Sequence, residues 1–139
     1  MEAKVTLQNG MHFFGVADSG YEIALDADVD LGESANGARP MELVAIGVAG
    51  CTAMDVISIL RKKKQEVTNF EVKAHVDRSA QHPKVFTNML IEYVVTGKDI
   101  DRQAVERAVE LSETKYCPGI AMLSKALSIQ SKITVIQAS

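Results

Sequence analysis

Residues 40–60, PMELVAIGVAGCTAMDVISIL, hold only two charged side chains, Glu42 and Asp55, and this run limits the possible folds more than any other part of the chain. Pro40 suits the first position of a helix, because its φ is already set and it has no N–H left without a partner. The basic cluster Arg61 to Lys64 falls where that helix should stop, and cations there complement the negative end of the helix dipole. A helix that is apolar around almost its whole circumference must be covered on all sides. Gly47, Ala49, Gly50 and Ala53 put small side chains on several of its faces. Glycine in a helix interior costs about 1 kcal/mol relative to alanine, so the two glycines read as spacing for a close neighbour. A chain of 139 residues has little else with which to enclose such a helix, so the expectation is a homodimer whose helices share one core. A bilayer span also takes about 20 residues. With Glu42 and Asp55 inside the run and no second anchor, the central helix of a soluble fold is the better reading, with no membrane partner.

Strands surround this helix in the pattern. Residues 4–7, 12–17 and 21–25 alternate, with turn signals at Asn9-Gly10 and Ser19-Gly20, and this predicts an antiparallel meander. Residues 26–38 are acidic and rich in small side chains, which reads as a loop and the natural place for a mobile flap. Residues 66–79 and 85–96 alternate on either side of His82-Pro83 and predict a long hairpin. Ala104, Val105, Ala108, Val109 and Leu111 recur at helical spacing. A short helix over 120–125 and a strand over 127–136 follow. The order β-β-β-α-β-β-α-α-β is an α+β arrangement, an antiparallel sheet with helices, in one domain over residues 1–139.

Composition narrows the function. A net charge of −3 gives no general positive excess to neutralise phosphates, so nucleic acid is not an expected partner. The opening MEAKVTLQNG has neither a basic nor an apolar leader region, which predicts a cytoplasmic protein. His12, His75 and His82 show no metal-ligand spacing, and no metal or cofactor is expected. A hydrolase built on Cys51 and His75 would need an orienting third group, and nothing in the sequence brings those two together.

The chemistry then rests on Cys51 and Cys117. Cys51 lies inside the apolar helix, where burial raises a thiol's pKa unless a cation or donor arrives. Arg39, Arg78 or a group from a second subunit are the available helpers, and Asp55, one turn later, would oppose ionisation if ionised and close. Cys117 precedes Pro118, so it should cap a helix whose unpaired N–H groups favour a thiolate, with Lys115 close enough to help. The alternative is that both are inert packing residues, because free cysteine is often buried.

RPMELVAIGVAGCTAMDVISILRKKK followed by ETKYCPGIAML resembles the OsmC/Ohr family of osmotically induced and organic-hydroperoxide-resistance proteins, in its general OsmC-like branch. The resemblance runs over nearly the whole chain; its most specific elements are P-x-E-L ahead of a mid-helix cysteine and the later Cys-Pro. It implies an intertwined homodimer with long central helices wrapped by sheets and active sites between subunits. It also implies a thiol-dependent peroxidase acting on organic hydroperoxides in oxidative-stress defence, with Cys51 peroxidatic, Cys117 resolving and a dithiol as reductant. In the family's hydroperoxide reductases a glutamate directly follows the proline, and an N-terminal arginine joins it to activate the thiolate. Here Met41 follows Pro40, Glu42 comes one place later, and no arginine precedes Arg39, which leaves Arg39 and Glu42 as the candidate activating groups. Those departures keep a second reading open: a redox-inactive module binding an apolar small molecule.

Overall fold

A computed structural model describes residues 1–28 and 35–139, which fall into two compact units, Met1–Val44 and Ala45–Ser139. In the first, β1 (Ala3–Asn9), β2 (His12–Ala17) and β3 (Ile23–Leu25) form the expected antiparallel meander in the order β1-β2-β3. The tight turn lies one residue later than the Asn-Gly signal suggests. Asn9 pairs with His12, and Gly10 takes the left-handed φ of +50°. Ala38 bridges back to Leu25, and Gly37 has no room for a side chain because the Ala24 carbonyl occupies the place a Cβ would need. Asp26 anchors this return by accepting the backbone N–H groups of Asn36 (3.0 Å) and Ala27 (2.8 Å), which hold its carboxyl below the usual range. Of the flap expected over 26–38, residues 29–34 lie outside the described residues.

The second unit takes most of α1 (Pro40–Lys62), then β4 (Glu66–Arg78), β5 (Phe86–Lys98), α2 (Arg102–Leu111), a π-helical turn (Ser112–Tyr116), α3 (Pro118–Leu123) and β6 (Ser128–Gln137). β4 and β5 make the expected long antiparallel hairpin. β6 corrects the expectation of a purely antiparallel sheet: it runs parallel to β5, with Met89 opposite Ile129 and Tyr93 opposite Ile133. The cause is the crossover through α2, the π turn and α3, the kind of long connection that parallel neighbours require.

β5 is the central strand, and its inner face supplies Phe86, Met89, Ile91, Tyr93 and Val95 to the core. Ala104, Val105, Ala108 and Val109 of α2 are buried as their spacing predicts, and Asp101 caps that helix by accepting the Gln103 N–H at 3.0 Å. From α1 the core receives one stripe, Val48, Thr52, Val56 and Leu60, at successive fourth positions.

The remaining surface of α1 is left open, in line with the expectation that one chain of this length cannot cover the helix on every side. Ile46 and Met54 are 60% and 74% exposed, and space is open around Gly47 and Gly50. A single chain therefore covers one stripe of a helix that is long and apolar enough, by length and composition, to cross a membrane.

Gly97 gives a direct test of the β4–β5 packing. A Cβ there would fall on the Glu66 carbonyl oxygen and 2.6 Å from Ile100 Cδ1. Gly97→Ala should lower the unfolding free energy by about 1–3 kcal/mol in urea denaturation, the usual range for overpacking. An unchanged midpoint would show that this strand pair can shift freely.

Candidate functional site

The fold brings the two cysteines together from separate elements, both as free thiols. Cys51 is half-buried on α1 and packs against the core cluster that includes Cys117. Cys117 is buried, 2% exposed, at the cap of α3, with extended backbone (φ −81°, ψ 105°) ahead of Pro118. Its Sγ accepts the Ile120 N–H at 3.4 Å. α3 comes down onto α1 at Gly119, where a Cβ would make ordinary contact with Val48 Cα at 3.5 Å and Cys117 Sγ at 3.7 Å. Val48 is nearly one turn ahead of Cys51, so the start of α3 rests on the segment of α1 that carries the first thiol.

The cap is where the sequence suggests, but the expected lowering of the Cys117 pKa is reversed. Burial pushes the thiol up to about 11, and the neighbouring Cys51 thiol adds to the rise, against the opposing pull of the Ile120 and Gly119 N–H groups. Desolvation of a sulfur anion outweighs two amide donors at the start of a six-residue helix. Lys115 does not supply the missing charge; its Nζ sits over the Tyr116 ring, 5.3 Å from the centroid.

A buried polar network lies beside the pair. Thr52, next to Cys51, joins its hydroxyl to Tyr93 Oη at 2.9 Å and Ser112 Oγ at 2.7 Å. Tyr93 donates to Glu113 Oε1 at 3.0 Å, and Ser112 to Asp55 Oδ2 at 3.0 Å. Ser131 Oγ reaches the other Glu113 oxygen at 3.4 Å. The Ser112 carbonyl accepts the Cys117 N–H at 2.8 Å across the π turn, so the network fixes the backbone of the second cysteine as well. Burial drives the Tyr93 hydroxyl well above its ordinary pKa, keeping it neutral.

Sequence reasoning missed Thr52, Tyr93, Ser112 and Glu113, and took Asp55 only as a group opposing ionisation. Two signals were available: Thr52 and Asp55 sit i,i+3 in an otherwise apolar helix, and Ser112 continues the inward register of Val105 and Val109.

Arg39 and Glu42 are paired with each other within residues 1–44. The Glu42 carboxylate accepts the Arg39 backbone N–H at 2.8 Å, the return half of a capping box at the start of α1, and its Oε1 lies 3.2 Å from Arg39 Nε. Arg39 also pairs with Asp28. The arginine holds the Glu42 carboxyl below the usual range, and these partners raise the guanidinium further. The one-place shift of the glutamate thus puts it where it caps the helix.

His75 bonds Glu92 at 3.0 Å, and no group of three or more His, Cys, Asp or Glu is placed to hold a metal among the described residues. A cleft of about 420 Å³ is lined by Asp55, Ser58, Lys62, Lys63, Leu111 and Tyr116, among others. A separate cavity of about 430 Å³ within residues 1–44 is walled by Val5, Met11, Phe13, Leu25 and Pro40, with Asp26 and Ala27.

Comparison with known proteins agrees with this architecture. A model of the OsmC-like protein family matches residues 32–132. The chain is 40% identical over 138 residues to Protein YhfA of Escherichia coli, covering 99% of this chain and all of that one. An OsmC-like protein from Mycoplasma pneumoniae superposes with a TM-score of 0.82 at 14% identity, covering 97% of this chain and 96% of the other. The organic hydroperoxide resistance protein OhrB of Bacillus subtilis superposes with a TM-score of 0.62 at 20% identity, covering 96% and 98%.

The raised Cys117 pKa predicts an order of reaction. With a folded value of about 11 against an ordinary 9.0, the thiol stays protonated through neutral pH. At pH 8 only about a thousandth of it is thiolate. Iodoacetamide at that pH should therefore label the half-exposed Cys51 well before Cys117, and Cys117 labelling should climb about tenfold per pH unit towards 11. Peptide mass spectrometry reads both sites, and equal rates at pH 8 would contradict this order.

Proposed function

The chain belongs to the OsmC-like protein family, and from that membership together with its two adjoining free thiols we propose that it reduces organic hydroperoxides in a thiol-dependent cycle. The observation that carries this reading is the meeting of Cys51 and Cys117. They come from elements far apart in sequence, yet they share one apolar cluster, with the first thiol half-exposed and the second buried beneath it. The hydroperoxide-resistance proteins among its structural relatives support the same substrate class.

In this cycle the Cys51 thiolate attacks the peroxide's terminal oxygen and the O–O bond breaks. The alkoxide takes a proton and leaves as an alcohol, with Cys51 as sulfenic acid. The Cys117 thiolate then attacks the Cys51 sulfur, and hydroxide leaves as water after taking up a proton. A dithiol reopens the resulting disulfide by exchange, emerging oxidised itself. Arg39 and Glu42, already paired at the start of α1, are the candidate activating groups. The reading sets this chemistry in the cytoplasm, in one OsmC-like domain spanning residues 1–139.

A homodimer is part of the same proposal. The uncovered face of α1, with Ile46 and Met54 exposed and open space at Gly47 and Gly50, is what a second copy of the helix would fill. Sedimentation should give twice the 15.1 kDa chain mass; a monomer at all concentrations would remove this part.

One observation favours a second reading. The cavity within residues 1–44 has almost wholly apolar walls, which suits a module that binds an apolar small molecule without redox chemistry. Turnover separates the two. Purified protein with a dithiol should consume cumene or tert-butyl hydroperoxide, and Cys51→Ser should abolish this. Cys117→Ser should still form sulfenic acid at Cys51 but fail to close a disulfide. Turnover unchanged in Cys51→Ser would reject the peroxidase cycle, and a co-purifying apolar ligand without turnover would install the binding module.

A further inference from the structure

Cys51, Asp55, Ser58 and Lys62 stand at i, i+4, i+7 and i+11 on α1, so they share one face of the helix. From Asp55 onward that face lines the cleft of about 420 Å³, and Leu111 and Tyr116 line it from α2 and the π turn. Its apolar surface comes from the half-buried Ile59 and Leu111 and from the ring of Tyr116, which is 51% exposed.

Charge is unevenly placed along this cleft. Asp55 stands at one end, and Lys62 and Lys63 follow seven and eight residues later, about 11 Å along the helix axis. Arg61 and Lys64 flank the two lysines. All four cations are exposed, and among the described residues none of them takes part in an ion pair. The negative end of the α1 dipole amounts to about half a charge, so the cations outweigh it severalfold. Lys115, with its Nζ 5.3 Å from the centre of the Tyr116 ring, adds a further positive charge beside the opposite wall. On a chain of net charge −3 this is a local positive excess that complementing the helix end does not account for.

We propose that this cleft binds an aliphatic carboxylate, with its anionic end on Lys62 and Lys63 and its chain lying along α1 towards Cys51. The lysines draw the carboxylate and Asp55 repels it, so the molecule has one direction. Ile59, Leu111 and the Tyr116 ring cover the chain, and the volume falls within the range of small-molecule pockets. An extended eight-carbon chain spans roughly 9 Å, nearly the distance from the lysines to Asp55. Cys51 lies one turn further, about 6 Å along the same face. A reactive group at the far end of such a molecule therefore arrives on the side of α1 that carries the half-buried first thiol. This use rests on the peroxidase reading. Two reagents of that cycle can carry the tail, the hydroperoxide and the thiol reductant, and the cleft holds the tail while the bond changes stay at the cysteines.

Binding is tested with octanoate, which undergoes no redox step, by nitrogen-15 NMR of the backbone amides in the full-length protein. Octanoate should shift the amides of Ile59, Leu111 and Tyr116 and bind about tenfold tighter than octanamide, the same chain without the charge. Lys62→Gln combined with Lys63→Gln should remove that advantage, and Lys125→Gln, at an exposed lysine outside the cleft, should keep it. Equal affinity for acid and amide, an equal loss in Lys125→Gln, or shifts confined to the apolar cavity within residues 1–44 would each overturn the proposal. Two kinetic arms then identify the source of the tail. One compares 8-hydroperoxyoctanoate with its amide as substrate, using a neutral dithiol; the other compares 8-mercaptooctanoate with its amide as reductant, using tert-butyl hydroperoxide. An advantage of about fivefold or more in kcat/KM for the acid assigns the tail to the substrate in the first arm and to the reductant in the second, and the double lysine variant should erase it. Octanoate bound in the cleft with no preference in either arm overturns the link to Cys51. A wild type that forms no sulfenic acid at Cys51 rejects the peroxidase reading, while the octanoate titration still decides the cleft.

Discussion

The inward stripe of α1 organises residues 45–139. Val48, Val56 and Leu60 carry it into the apolar cluster formed with β5 and α2, and Thr52 is the one polar group on it. That hydroxyl cannot be buried without partners, since an unpaired one would cost roughly 1–3 kcal/mol. Tyr93 from β5 and Ser112 from the π turn supply them, which fixes the rotation of the helix against two further elements. Cys51 follows from that rotation, because the residue before Thr52 on the helix is turned about 100° from the buried stripe, half in and half out of the core.

The same packing explains the unequal state of the two thiols. The start of α3 settles on Val48, and Cys117 is buried there at the N-cap of a helix too short to compensate its charge. A helix cap is an anion site only while desolvation stays small, and here burial is the larger effect. In the proposed cycle a second thiol that stays protonated at neutral pH would not compete for peroxide.

Much of this was legible in the sequence. The apolar run between Pro40 and the basic stop, the meander, the long β4–β5 hairpin and the cap at Cys117 each follow from local rules: proline geometry, alternation, and charge at helix ends. The parallel pairing of β6 was not legible, because it depends on where a three-part crossover returns the chain. The direction of the Cys117 shift was missed for a related reason, since a sequence displays a cap but not the depth at which it is buried. Tyr93 and Ser112 reach Thr52 from 41 and 60 residues away, so neither periodicity nor spacing could assemble the three. The openness of α1 was legible: the pattern called for cover on every side, more than a chain of this length was expected to give, and one chain buries a single stripe.

The central claim is that Cys51 and Cys117 are redox partners and not merely packed side by side. Peptide mapping of the reduced protein after one equivalent of an organic hydroperoxide tests it most directly. The account predicts one cross-linked peptide pair joining Cys51 to Cys117, reopened by a dithiol. Both cysteines recovered as free thiols after peroxide, in a folded protein, would contradict it.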